Sequence, residues 1–185
     1  MARIMKTLAA VFTIAFSACL VWQLLAPSAV VLALCITFGV TAYHFAVRLL
    51  VGGIVDGIFH NEMDWKKAWF QPRKFEKKLY EILRVKRWTK RVPTYAPKSF
   101  SLADHSWEEL VMATCQAEIV HEIIIAVSFL PILMIIWFGE PFVFSLTSVI
   151  AAAIDGYFVV VQRYNRPRFI TALKREEKRR ENSER

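Results

Sequence analysis

The chain has 185 residues, of which 56% are hydrophobic, and it combines a net charge of +8 with a mean hydropathy of +0.36. A soluble domain of this length has too small a core for so much apolar side chain. The basic charge is also segregated between long apolar runs, which points to the anionic face of a membrane and away from nucleic acid.

In chain order, the first apolar run covers residues 7–25. Phe16-Ser17-Ala18-Cys19 loosely resembles a lipoprotein cleavage box, but the run continues to Leu25 and Phe16 is poor at its position, so the segment reads as a retained span. A second run covers 29–51, a third 110–138 and a fourth 142–161. Each has the roughly 20 apolar residues a helix needs to cross a bilayer. Ala26-Pro27-Ser28 joins the first pair and Gly139-Glu140-Pro141 the second, and links so short predict two tight antiparallel hairpins. The expected architecture is all-α: one membrane domain over 1–185, with a loop at 52–109 and a tail at 162–185. The three cysteines, Cys19, Cys35 and Cys115, lie in apolar runs without disulfide or metal spacing.

Lysine and arginine orient the spans. Neither short link contains any, whereas residues 52–109 carry twelve and nine follow from Arg163 onward. Both termini and the long loop are therefore expected on the cytoplasmic side of a cell membrane. Within the loop, Pro72 is placed to start a helix. Phe75, Leu79, Ile82 and Leu83 then share one face, between Lys77, Lys78, Arg84 and Lys86, which predicts an amphipathic helix in the headgroup layer. Pro93 and Pro97 mark an irregular stretch beyond it. The tail from Lys174 onward, with charges of both signs, reads as a solvated, fraying helix.

Ionisable side chains inside spans cost free energy and need a reason. They are His44 and Arg48 in the second span, Glu118, His121 and Glu122 in the third, and Asp155 in the fourth. By helical rise, His44, Glu118 and Asp155 each lie roughly 10–12 Å from the cytoplasmic ends of their helices. In the third span, Thr114, Glu118, His121, Glu122 and Ile125 share a face. Three readings stay open there. Glu118 could orient His121 as a general base, the Glu-x-x-His spacing could serve a metal with His44 and Asp155, or the groups could form a packing cluster. At the end of the fourth span, Gln162-Arg163-Tyr164-Asn165-Arg166-Pro167-Arg168 exceeds what a helix-end anchor requires, and its arginines suit forked recognition of phosphate or carboxylate.

The run Gln162 to Arg168, with Ala117-Glu118 and His121 upstream, resembles the bacterial glycosyl-4,4'-diaponeurosporenoate acyltransferases. The resemblance extends over residues of about 70–169 and includes Phe75-Glu76 and Lys86-Arg87-Trp88 followed by Lys90. It departs from the family pattern at Gln116, where the family has Arg, at Glu122, where it has an aromatic, and at Asp155-Gly156, where it has Asn and Pro. The resemblance implies transfer of a fatty acyl chain to a lipid-like or glycolipid acceptor, with an acyl donor and no cofactor or metal. His121, oriented by Glu118, would then be the base. Gln162, Arg163, Asn165, Arg166 and Arg168 would bind substrate; Glu122, His44, Arg48 and Asp155, the ionisable groups of the spans, are expected to bind it with them although they stand outside the family pattern. A metal-dependent membrane enzyme and a non-enzymatic lipid-binding subunit are the alternatives.

Reporter fusions test the orientation. Fusions at Pro27 and Glu140 should read as extracytoplasmic and a fusion after Arg185 as cytoplasmic. A cytoplasmic signal from either turn overturns the assignment.

Overall fold

The computed structural model describes residues 2–88 and 105–184. Lys90, Pro93 and Pro97 lie outside them. Among the described residues all regular structure is helical: α1 (Ala2–Leu25), α2 (Ala29–Phe59), α3 (Lys74–Ile82), α4 (Val85–Trp88), α5 (Trp107–Val127), α6 (Ile135–Phe138) and α7 (Pro141–Ser183). Short 3-10 turns cover Ala68–Phe70 and Leu130–Met134. Four stretches are long and apolar enough to cross a membrane: Arg3–Leu25, Ala29–Phe59, Trp107–Phe138 and Pro141–Ser183. Ile14, Leu24 and Leu25 of α1 and Ile136, Trp137 and Phe142 are all exposed. So much uncovered apolar surface is stable against lipid and not against water. The chain is a multi-pass membrane protein.

Local chemistry sets the helix ends. Ser28 caps α2, its Oγ accepting from the Val31 amide at 3.2 Å. α5 opens on a reciprocal capping box: the Glu109 amide donates to Ser106 Oγ, while the Ser106 amide donates to the Glu109 carboxylate at 2.7 Å. α2 runs on past Val51 to Phe59, further than the hydropathy alone suggests, and stops where His60 and Asn61 both adopt positive φ. α7 starts at Pro141, directly after the positive-φ pair Gly139 and Glu140.

Two expectations are corrected. The third span is not one continuous helix: α5 ends at Val127 and a 3-10 turn precedes α6. The cause is Pro131, which has no N–H to give the Val127 carbonyl four residues back. Tyr43 supplies the missing donor, its hydroxyl reaching that carbonyl at 2.8 Å. Conversely, the helix does not stop with the fourth apolar run at residue 161: α7 continues through Gln162–Arg168, Pro167 included, and takes in the tail as far as Ser183.

The chain divides into two compact units, Met1–Ile54 with Glu122–Gly156, and Val55–His121 with Tyr157–Arg185. In the first, α1 packs on α2: the Phe12 ring stacks on Phe45 at 5.8 Å, and Phe16 lies so close to Gly39 that a Cβ there would sit 3.0 Å from its ring. Ile36, Val40 and Phe144 form a core with Leu32, Ile135 and Val143 around it. In the second, Met63, Phe70 and Cys115 form a core backed by Trp65 and Ile119. Gln116 fastens the end of α2 to α5. Its amide nitrogen donates to Asp56 at 3.0 Å, and its oxygen accepts from the Asn61 amide at 2.7 Å.

The Tyr43 bond gives a direct test. Tyr43→Phe leaves the Val127 carbonyl buried without its donor and should cost about 1–3 kcal/mol of stability. In a Pro131→Ala background, which restores an N–H, the same change should cost less. Equal losses in both backgrounds, measured by unfolding in detergent, would show that the hydroxyl does not replace the proline's donor.

Candidate active site

Glu118 lies on α5 with no solvent exposure. A bare carboxylate so placed would cost several kcal/mol, so it must be neutralised or paired. Two arginines one helical turn apart on α7 do this. One oxygen of Glu118 accepts from Arg163 Nη1 and the other from Arg166 Nη2. Arg163 in turn grips Glu76 of α3, with Nε at 2.9 Å and Nη2 at 2.6 Å from the same carboxylate oxygen. Two carboxylates and two guanidiniums thus cancel in charge.

The backbone completes the cluster. Arg163 also donates to the carbonyls of Trp69 and Gln71, both at 3.1 Å. All five of its N–H donors are thereby used on the protein. Arg166, 1% exposed, donates to the carbonyls of Phe70 at 3.0 Å and Thr114 at 3.1 Å and to Thr114 Oγ1 at 3.1 Å, and its guanidinium lies over the Phe70 ring. The second oxygen of Glu76 accepts from the Tyr80 hydroxyl at 2.9 Å. Burial first, and then that bond to the Glu76 carboxylate, push the Tyr80 hydroxyl well above its ordinary pKa, so it stays a donor at any working pH.

Each oxygen of Glu118 meets an arginine, on the helix face that Glu118 shares with His121. Arg163 and Arg166 hold protein carboxylates and carbonyls, where the sequence suggested a substrate anion. Arg168 differs: it is exposed, lies over the Tyr164 ring at 4.2 Å and donates to that hydroxyl at 2.6 Å. His121 is half-buried and stacks on Phe158 with 4.9 Å between ring centroids. Gln162 and Asn165 are half-buried on α7, and Glu122 is half-buried on α5. In the other unit Arg48 and Asp155 form an ion pair, and Arg48 also donates to the carbonyls of His44 at 2.9 Å and Ala151 at 3.2 Å. Among the described residues no group of three or more His, Cys, Asp or Glu side chains is placed to hold a metal ion.

Glu76 and Gln116 escaped the sequence reading as site residues. Nothing local marks Gln116. Glu76 carries a signal: it is the acid in the first turn of α3 and borders the apolar face of that helix, next to Leu83 by helical angle.

A family model described as glycosyl-4,4'-diaponeurosporenoate acyltransferase matches residues 66–175. No curated protein and no solved structure matches the chain. The matched stretch contains Glu76, Glu118, His121, Arg163, Arg166 and Arg168.

Charge balance predicts what happens when the cluster is cut. Glu118→Gln leaves the buried Arg166 and the half-buried Arg163 guanidiniums facing one carboxylate and should destabilise the fold by about 3–5 kcal/mol. A second change, Arg166→Gln, restores neutrality and should recover part of the loss. Unfolding of the purified variants checks both. A Glu118→Gln protein as stable as the parent would mean the carboxylate is not the keystone of this cluster.

Proposed function

Since the chain belongs to the glycosyl-4,4'-diaponeurosporenoate acyltransferase family, we propose that it moves a fatty acyl group onto a hydroxyl of a lipid-like or glycolipid acceptor at the cytoplasmic leaflet of the cell membrane. A carotenoid glycoside is the acceptor that the family's description names. The family is one of enzymes, which sets aside the non-enzymatic subunit.

His121 is the base in this reading. It takes the proton of the acceptor hydroxyl as that oxygen attacks the acyl carbonyl carbon. The bond from that carbon to the donor's leaving group then breaks, and the proton passes from His121 to the departing group. Gln162 and Asn165 donate hydrogen bonds to the oxyanion formed on the way. Arg168, the exposed arginine of the run, holds the anionic part of the donor. Glu118, Arg163, Arg166 and Glu76 act as positioning residues: they fix α3, α5 and α7 around the reacting groups. The observation that carries the reading is the half-buried His121, one turn along α5 from the neutralised cluster and inside the matched stretch.

The loop helix fits the same setting. α3 turns Glu76 inward, half-buries Tyr80 and leaves Phe75, Ile82 and Leu83 exposed beside Lys77 and Lys78. A water-facing helix would be arranged the other way round. Apolar side chains flanked by lysine suit the boundary between headgroups and acyl chains.

Turnover assays with membrane fractions and an acyl donor test the mechanism. His121→Ala should lose about 10²–10⁴-fold in rate with the fold intact. Arg168→Ala should chiefly raise KM, and Arg168→Lys should rescue it in part, because the forked geometry is lost. A well-folded His121→Ala protein turning over at close to the parent rate would make His121 a packing residue.

A further inference from the structure

The unit formed by Met1–Ile54 and Glu122–Gly156 contains three buried polar side chains whose hydrogen-bonding atoms have no partner within the protein. They are both ring nitrogens of His44 and the hydroxyls of Ser128 and Ser148. His44 is 6% exposed and the two serines are fully buried. Hydroxyls on membrane helices usually satisfy themselves by folding back onto the carbonyl four residues earlier. Thr13, Ser17, Thr37, Thr41 and Thr147 all do so here, at 2.7–2.9 Å. Ser128 and Ser148 do not, although Thr147 is the immediate neighbour of Ser148.

The three groups also belong to one level of the unit. Along α2 and α7, Ile36 and Val40 pack with Phe144, and two turns further on Arg48 bonds the Ala151 carbonyl and Asp155. Between these fixed points, one turn past Val40 and one turn past Phe144, come His44 and Ser148. The third helix is brought to the same level by Tyr43, the neighbour of His44, whose hydroxyl bonds the carbonyl of Val127, the neighbour of Ser128. α2, α7 and the turn that follows α5 therefore each contribute an unpaired polar group to one layer, in a part of the protein where such groups cost the most.

The chemistry of the set selects its ligand. An anion needs donors and a cation needs acceptors. A neutral imidazole and two hydroxyls offer both. The charged pair beyond this layer, Arg48 and Asp155, cancels within itself. We propose that His44, Ser128 and Ser148 form an internal hydration site, in which ordered water bridges the three segments inside the membrane span. A buried water with two to four polar partners is a stable part of a fold. This assignment is independent of the reaction proposed above.

The test uses the full chain in phosphatidylglycerol nanodiscs, with the histidine rings labelled with ¹⁵N. Magnetisation transfer from water should reach one buried ring, and that signal should vanish in His44→Phe. Ser128→Ala and Ser148→Ala should each lower the melting temperature by about 2–4 °C. Both losses should shrink in a His44→Phe background, because the partners share one ligand. Groups that are merely unpaired behave in the opposite way: removing a buried, unsatisfied hydroxyl relieves its desolvation cost. Alanine variants that melt at the parent temperature or above it overturn the proposal. So does a His44 ring that receives nothing from water, including the case in which a lipid hydroxyl occupies the layer instead.

Discussion

A carboxylate with no solvent exposure can persist only where its charge is met. In this protein Glu118 is met twice, by Arg163 on one oxygen and Arg166 on the other. Much else in its unit follows from that pairing. Arg163 recruits Glu76 and so ties α3 to α7. Arg166 reaches back to Thr114 on α5 and to the carbonyl of Phe70, the residue around which the local core is built. The stretch from Trp69 to Glu76 is thus held from within by charge-assisted bonds, which are directional as well as strong.

The same rule governs the other unit on a smaller scale. Arg48 and Asp155 neutralise each other, and the spare donors of Arg48 go to carbonyls of two helices. Buried pairs of this kind add little net stability compared with apolar packing. They contribute geometry: an arginine that donates to two helices at once has few poses left, and the helices around it are fixed with it. Fixed geometry of this kind is what an enzyme that must orient its substrates needs.

Much of the fold could be read from the sequence because its signals are local or compositional. Apolar runs announced the spans, and the run ending at Arg168 carried the family resemblance. The break at Pro131 is a local signal too, but hydropathy runs unbroken over residues 110–138 and does not register it. Hydropathy likewise ends at residue 161, whereas α7 continues through Pro167. The pairing of Glu118 was out of reach. Helical periodicity places His121 three residues away on the same face and says nothing of Arg163, 45 residues on. Gln116 was noticed only as a departure from the family pattern, and its two bonds to the end of α2 explain what it does here.

The 45- and 48-residue separations within the Glu118 pairs bear on how the protein is made. Ribosomes extend chains at about 5–20 residues per second. Glu118 therefore emerges roughly 2–10 seconds before either arginine that neutralises it. During that interval the third hydrophobic segment must be handed to the membrane with an unmatched acid in it, at a cost of a few kcal/mol. Synthesis of the fourth segment ends the interval by delivering both countercharges within a single turn of helix. Insertion of the third segment is thus completed by the fourth, and a nascent chain truncated between Phe138 and Arg163 is the form in which the insertion machinery must shelter it.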